Sequence, residues 1–116
     1  MPNPRPANRS YSTESLEWWN AGIPEDWEKA FRKKDLAEGR RLYAEGAIRS
    51  LELRTDAAEA VAKTDTQTVR SVLEVNKGVL QWRTSLPEEE NGAPFAVASI
   101  YEVEELIADE LDPLGE

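Results

Sequence analysis

The chain has 116 residues, 40% of them hydrophobic, and it contains neither cysteine nor histidine. This length and composition predict one globular domain with a modest core. The two absent residue types exclude disulfide bonds, thiolate or imidazole metal ligands, and nucleophilic sites of the Ser-His-Asp or Cys-His kind. We therefore expect a protein that is not an enzyme and that uses no metal or other cofactor.

The charge is distributed unevenly along the chain, which has a net charge of −9. Residues 1–85 contain 14 basic and 13 acidic side chains, whereas residues 86–116 contain 10 acidic and no basic side chains. Because basic contacts to phosphates dominate nucleic-acid affinity, this balance disfavours nucleic-acid binding. The acidic quarter fits a solvated helix face and tail, or alternatively an attractor for a basic partner.

No apolar run approaches the roughly 18 residues of a membrane-spanning helix. The first residues, 1–6, are rich in proline and lack the apolar region of a secretory signal. We expect a cytoplasmic protein with no membrane contact.

The amino-terminal part of the chain predicts a tail and then a short helix. Residues 1–12 contain three prolines and few apolar groups, which predicts a disordered tail. Ser12 or Thr13 can cap a helix that carries Trp18 and Trp19. These two tryptophans point about 100° apart on a helix, so they fit core packing or, alternatively, an exposed anchor for a partner.

Two more helices are predicted before the first strand. Proline at Pro24 suits the first turn of the second helix, and the basic run Arg32-Lys33-Lys34 suits its carboxyl end. Asp35 and Glu38 then form a capping-box pattern that starts the third helix. Gly46 follows its last periodic residue, where a left-handed cap favours glycine.

Gly39 stands in the middle of this third helix. A glycine there costs about 1 kcal/mol relative to alanine. We therefore expect another element to approach the helix too closely for a side chain.

Four segments are predicted as strands: residues 47–54, 57–63, 68–75 and 79–84. The spacing of Ile48 and Leu51 breaks strict alternation and indicates a bulge. The alanines of residues 57–63 favour helix, yet a short segment between two turns fits a strand better. Asn76-Lys77-Gly78 is typical of a tight hairpin turn. The pattern predicts a four-stranded antiparallel meander.

The last helix is predicted to begin at Ser99, which forms a capping-box pattern with Glu102. Its apolar stripe consists of Ile100, Val103, Ile107 and Leu111. We expect the acidic residues between them, Glu102 included, to lie on the surface. The predicted fold is α+β, with short amino-terminal helices, the meander, and this carboxyl-terminal amphipathic helix packed on the sheet. Residues 13–112 form the single domain, and residues 113–116 form a tail.

This order of elements resembles the SWIM zinc-finger region found beside bacterial SWI/SNF-type helicases. The resemblance begins at Trp18-Trp19 and continues through Gly39-Arg40, Tyr43-Ala44 and Gly46-Ala47-Ile48 into the strands. It covers roughly residues 15–110, so it implies a SWIM-like domain over residues 13–112.

The zinc ligands of that family are absent from this chain. Family members hold zinc with a Cys-x-Cys pair after the last strand and a Cys-x-His pair that opens the final helix. By order in the chain, the first pair falls near Trp82 and Thr84, and the second falls near Phe95 and Val97. We expect hydrophobic packing among Trp82, Phe95 and Val97 to replace the metal.

The resemblance implies a non-catalytic interaction module that binds a protein partner, such as a SWI/SNF-type helicase. Six residues are the candidate partner contacts: Trp18, Trp19, Arg40, Arg41, Glu102 and Glu105. The alternative is a nucleic-acid-binding domain whose sheet carries a face of arginines: Arg49, Arg54, Arg70 and Arg83.

Two further hypotheses concern the acidic residues. Glu88 to Glu90 could bind a divalent cation, but consecutive residues rarely converge on one ion without other ligands. The acidic carboxyl-terminal quarter could also mimic nucleic acid and occupy a basic site on a partner.

Overall fold

The computed structural model describes residues 8–87 and 89–111. The elements within these ranges are β1 (Asn8–Ser10), α1 (Thr13–Gly22), a short 3₁₀ helix (Trp27–Ala30), α2 (Lys33–Ala44), β2 (Ile48–Arg54), β3 (Ala57–Lys63), β4 (Thr68–Asn76), β5 (Val79–Thr84) and α3 (Ala93–Leu111). The α+β class predicted from the sequence is confirmed.

Within the described residues the sheet has five strands in the order β1-β2-β3-β4-β5, one more than the predicted four-stranded meander. Strands β2 to β5 form the expected antiparallel meander. The additional strand β1 pairs in parallel with β2, and it places Arg9 beside Leu51. Residues 8–10, assigned to a disordered tail, are therefore part of the sheet. Tyr11 and Ser12 of the same predicted tail lead into α1, whose N-cap is Ser12. Residues 1–7 and 113–116 of the predicted tails lie outside the described residues.

The helices cover one face of the sheet. Helix α3 contacts β2, β4 and β5, and it also packs against α1 and α2. The face beneath the helices carries large apolar side chains on β2 and β4, such as Leu51 and Leu73, and three buried alanines on β3. Burial of alternate residues requires the extended conformation that β3 adopts, so the interpretation of residues 57–63 as a strand is confirmed.

Turn chemistry defines the boundaries of the strands. Lys77 and Gly78 both have positive φ, at 55° and 79°, as a tight hairpin turn between β4 and β5 requires.

The pairing of β2 with β3 shifts between Ile48 and Ser50, which confirms the predicted bulge.

The start of α2 differs from the prediction. Arg32 is its N-cap residue, and Lys33 and Lys34 open this helix instead of closing the one before it. Asp35 lies in its first turn, where it accepts a hydrogen bond from Arg32 Nε at 3.1 Å. The preceding segment makes only a short 3₁₀ helix and then extends at Phe31, so no full helix exists for the lysines to terminate.

Helix α2 ends as predicted, and Gly39 has the expected close neighbour. Gly46 has φ of 78°, and the N–H of Ala47 donates to the carbonyl of Leu42 at 3.0 Å, which completes a glycine-dependent cap. A Cβ atom on Gly39 would lie 2.8 Å from the carbonyl oxygen of Pro94 and closer still to Val97. Glycine therefore permits α2 to pack directly on α3.

Helix α3 begins at Ala93, six residues before the predicted start at Ser99. Asn91 Oδ1 accepts the N–H of Ala93 at 3.1 Å, and the carbonyl of Gly92 accepts the N–H of Ala96. Ser99 is buried within the helix, and its hydroxyl donates to the carbonyl of Phe95 at 2.8 Å. The capping-box prediction fails because the first turns of α3 are buried on all sides and show no polar face.

Candidate functional site

The acidic helix α3 is bound to the body of the protein through Arg9. Glu102 is only 3% exposed, so its predicted place on the surface is wrong. Its carboxylate accepts hydrogen bonds from Arg9 Nε at 3.1 Å and from Arg9 Nη2 at 2.6 Å, while Arg9 Nη1 donates to Asp109 at 3.3 Å. A buried carboxylate with an arginine partner serves the fold and is not presented to another molecule.

Two other predicted contact residues, Glu105 and Arg40, bind tyrosines on the neighbouring helix. The hydroxyl of Tyr43 donates to Glu105, and burial together with this bond raises the pKa of Tyr43. Arg40 donates to the hydroxyl of Tyr101 at 3.2 Å and lies over its ring at 5.8 Å. These contacts join α2 to α3, so both charged groups have structural partners.

The remaining predicted contact residues lie on other parts of the molecule. Arg41 is exposed on α2 and binds Glu38 and Glu45 of its own helix. Trp19 has no exposed surface, and its indole N–H donates to the carbonyl of Arg54 at 2.7 Å. Trp18 is half-buried and meets Trp19 edge to face, with ring centroids 5.6 Å apart. The tryptophan pair therefore belongs mainly to the core, and the six predicted residues do not form one surface.

The uncovered face of the sheet carries the arginines of the nucleic-acid hypothesis. Arg70 lies 2.8 Å from Glu59, and Arg83 lies 3.3 Å from Glu74. Arg54 approaches Glu52 at 3.6 Å and Glu59 at 3.9 Å. Carboxylates on the same face thus neutralise three of the four arginines.

The fourth arginine, Arg49, lines an open cleft of about 760 Å³ beside the end of α2. Lys63 and Arg41 contribute two more cations to this cleft, and Glu45 and Asp65 contribute two anions. The cations of this cleft exceed the anions by only one charge, so it offers little attraction for a polyanion.

The four positions at which the SWIM resemblance predicts zinc ligands have different neighbours in the structure. Val97 is buried and faces Gly39, while Thr84 lies against Gly92 closely enough to exclude a Cβ there. Phe95 is buried, and Trp82 stacks on Phe31 with centroids 5.9 Å apart. Within residues 8–87 and 89–111, no three His, Cys, Asp or Glu side chains form a group able to hold a metal ion.

Trp82 is the exposed end of a row of aromatic rings. The row continues from Phe31 to Trp27, Tyr101 and Tyr43. The ring centroids are 5.9 Å apart for Phe31 and Trp27, 5.3 Å for Trp27 and Tyr101, and 5.8 Å for Tyr101 and Tyr43. Trp27 is buried, and its indole N–H donates to Glu104 at 3.0 Å. Trp82 itself is 38% exposed. It is therefore a surface tryptophan held by rings that are anchored in the helix layer.

Among the described residues, no strand pairs with β5 on the side away from β4. The N–H of Ser85 donates to the carbonyl of Arg70 at 2.9 Å, and hydrogen-bonded pairs alternate along an antiparallel ladder. Gln81 and Arg83 therefore bond to Glu74 and Val72, their register partners on β4. The backbone groups of the alternate residues, Leu80, Trp82 and Thr84, point outward. We call these three residues the open edge.

Exposed apolar groups concentrate beside this open edge. Among the described residues, the exposed large hydrophobic side chains are Tyr11, Val79 and Trp82, and two of these three belong to β5. The strand has six residues and includes neither proline nor lysine, two residues that commonly protect sheet edges. An exposed tryptophan beside free backbone groups is a suitable binding surface for another chain.

An open cleft of about 430 Å³ continues from the carboxyl end of β5, and we call it the Trp82 cleft. Trp82, Arg32, Glu89 and Glu90 contribute to its lining. The cation of Arg32 is bound to Asp35, which also accepts a hydrogen bond from Asn91 at 2.8 Å. The carboxylates of Glu89 and Glu90 therefore give this cleft a negative character.

The sequence interpretation missed this surface because it considered Trp82 only as a lost ligand position. One signal was available, since the last strand of a meander lies at a sheet edge unless another segment covers it. The segment Val79-Leu80-Gln81-Trp82 lies on that last strand and carries large apolar side chains, so the sequence indicated an apolar sheet edge.

Comparison with known proteins gives no family assignment: no family model, curated protein or solved structure matches this chain. In the described ranges, no helix combines the length and the apolar character needed to cross a membrane.

Proposed function

We propose that this chain is a non-catalytic, SWIM-like interaction module without a zinc site, and that it binds a protein partner such as a SWI/SNF-type helicase. The observation that supports the binding role is the open edge of β5 with Trp82 beside it. Tryptophan is enriched among residues that dominate binding energy, and its ring stack on Phe31 holds it in place before a partner arrives.

The contact surface of this proposal differs from the one expected from the sequence. Trp19 and Glu102 are buried, whereas Trp82 and Val79 are exposed on a strand edge. Nucleic-acid binding has less support, because Arg54, Arg70 and Arg83 already lie beside carboxylates.

The proposal is tested by capture from a native lysate with matched variants. Trp82→Ala removes the exposed ring at the open edge, while Tyr11→Ala removes an exposed ring near β1. We expect wild type and Tyr11→Ala to recover the same stoichiometric partner, and Trp82→Ala to bind it at least about tenfold more weakly. Circular dichroism establishes that both variants are folded.

Recovery of a SWI/SNF-type helicase would identify the partner class. The proposal fails when wild type recovers no stoichiometric partner, or when Trp82→Ala binds the partner as tightly as wild type does.

A further inference from the structure

The open edge and the Trp82 cleft form one continuous surface, because Trp82 and Thr84 belong to both. The outward N–H and C=O groups of Leu80, Trp82 and Thr84 can each bond to an added strand. No hydrogen bond from these backbone groups to a side chain exists within the described residues. The partner segment that best fits this row is an extended chain that continues the sheet.

The side chains around the edge specify an alternating pattern in that segment. Leu80, Trp82 and Thr84 point toward the helix layer, because their register partners Val75, Leu73 and Ser71 are buried there. Residues opposite them on an added strand would share this face. Apolar side chains at alternate positions would therefore cover Leu80 and the exposed part of Trp82.

The charge of the Trp82 cleft specifies the end of the segment. Glu89 and Glu90 lie beyond Thr84, and Arg32, the cation of the cleft, is already bound to Asp35. An arginine or lysine placed here meets two carboxylates and the face of Trp82, which attracts cations. Antiparallel pairing is the more stable arrangement, and it brings the amino end of the added strand to this cleft.

A second copy of the chain is a poorer occupant of the same edge. Each copy carries a net charge of −9, so the net electrostatic interaction between two copies is repulsive at low salt. A basic segment is attracted by the same field.

We infer that the binding segment of the partner is an extended strand that pairs antiparallel with β5, with alternate apolar residues preceded by an arginine or lysine in the Trp82 cleft. This inference rests on the proposed function and specifies the chemistry of the partner at that site.

The first experiment selects binders from a displayed library of short random peptides on three forms of the full chain. One form is wild type, the second is Glu89→Lys with Glu90→Lys, and the third is Glu14→Lys with Glu17→Lys. The third form changes the net charge equally, but on the exposed surface of α1, far along the chain from the cleft. All three forms are checked for folding by circular dichroism.

Wild type and the α1 form should enrich peptides that begin with arginine or lysine and continue with alternating apolar residues. The cleft form should bind these peptides about tenfold more weakly, because it loses the carboxylates that face the cation. Enrichment of peptides without a basic residue, no enrichment at all, or equal binding by the cleft form would overturn the inference.

The second experiment measures amide hydrogen exchange with and without a synthesised enriched peptide. In the free chain, the amides of Gln81 and Arg83 should exchange slowly, and those of Leu80, Trp82 and Thr84 should exchange fast. Peptide binding should protect the fast set. Binding without this protection contradicts strand addition by a partner peptide. So does sedimentation that shows a dimer of the free chain, if the amides of Leu80, Trp82 and Thr84 are already protected in that dimer.

The two proposals fail in different ways. A native partner whose capture depends on Trp82, combined with unprotected edge amides, leaves the interaction module intact and removes only the added strand. Absence of any partner that depends on Trp82 removes the proposed function as well.

Discussion

The two edge strands of the sheet, β1 and β5, differ in how the rest of the protein covers them. At one end, Arg9 of β1 reaches under α3 and binds Glu102, so a buried ion pair fixes the strand to the helix layer. At the other end, β5 leaves Val79 and Trp82 exposed beside free backbone groups. The carboxylates of α3 that bind Arg9 therefore hold β1 against the helix layer, whereas the exposed ring of Trp82 leaves β5 available to another chain.

The largest expected effect comes from breaking the ion pair at β1. Arg9→Ala removes two hydrogen bonds and an ion pair from the carboxylate of Glu102, whose side chain is only 4% exposed. Loss of one partner from a buried pair costs about 3–5 kcal/mol. We expect urea denaturation, followed by circular dichroism, to show a loss of this size in the free energy of unfolding.

Arg83→Ala is the matched control on β5. Its pair with Glu74 is exposed, at a distance of 3.3 Å, so its removal should change the free energy of unfolding by less than about 1 kcal/mol. Equal losses of unfolding free energy in the two variants would show that the ion pairs at β1 and β5 contribute equally to stability.

A smaller change in stability is expected at alkaline pH, at the contact between α2 and α3 where Tyr43 binds Glu105. Burial, and then the hydrogen bond to Glu105, raise the pKa of Tyr43 above its usual value of about 10. The protonated tyrosine therefore contributes stability that is complete below about pH 10 and is lost as the pH rises through the folded-state pKa. The melting temperature should fall in this range, and Tyr43→Phe should make the fall shallower.

Tyr11→Phe serves as the reference for the alkaline measurement. Desolvation, and then Glu110, also raise the pKa of Tyr11, but this side chain is 41% exposed and solvent screens the interaction. Tyr11→Phe should change the slope of melting temperature against pH less than Tyr43→Phe does. The reverse order would contradict the importance of the tyrosine–glutamate bond between α2 and α3.

The smallest change in stability is expected at Val79, the first residue of β5, which precedes the open edge. Val79 is 57% exposed, so Val79→Lys should alter the free energy of unfolding by no more than about 0.5 kcal/mol. Lysine on an edge strand opposes pairing with another chain, and partner binding should weaken as a result. Thermal melting and the capture assay measure the two effects separately. Asn20→Lys on α1 controls for the added charge, and equal partner binding by both lysine variants would count against the β5 surface.

The accuracy of prediction from the sequence varied with the range of the interactions involved. The hairpin at Lys77-Gly78 and the glycine cap at Gly46 were predicted because each depends on a few neighbouring residues. The start of α3 was misplaced because the cap at Asn91 precedes a helical segment that is buried all round. Asp35 was read as a cap, yet its carboxylate binds Asn91, a residue distant in sequence.

The sequence by itself determined the order of the elements from α1 to α3, the alternation that buries one face of the sheet, and the turn between β4 and β5. Local backbone preferences and hydrophobic periodicity are sufficient for these features. Only the tertiary structure decided that Arg9 pairs with Glu102, a residue 93 positions away, and that Trp82 remains exposed while Trp19 is buried. Such outcomes depend on which surfaces meet when the helices cover the sheet, and the residues next to each of these positions in the chain do not determine that contact.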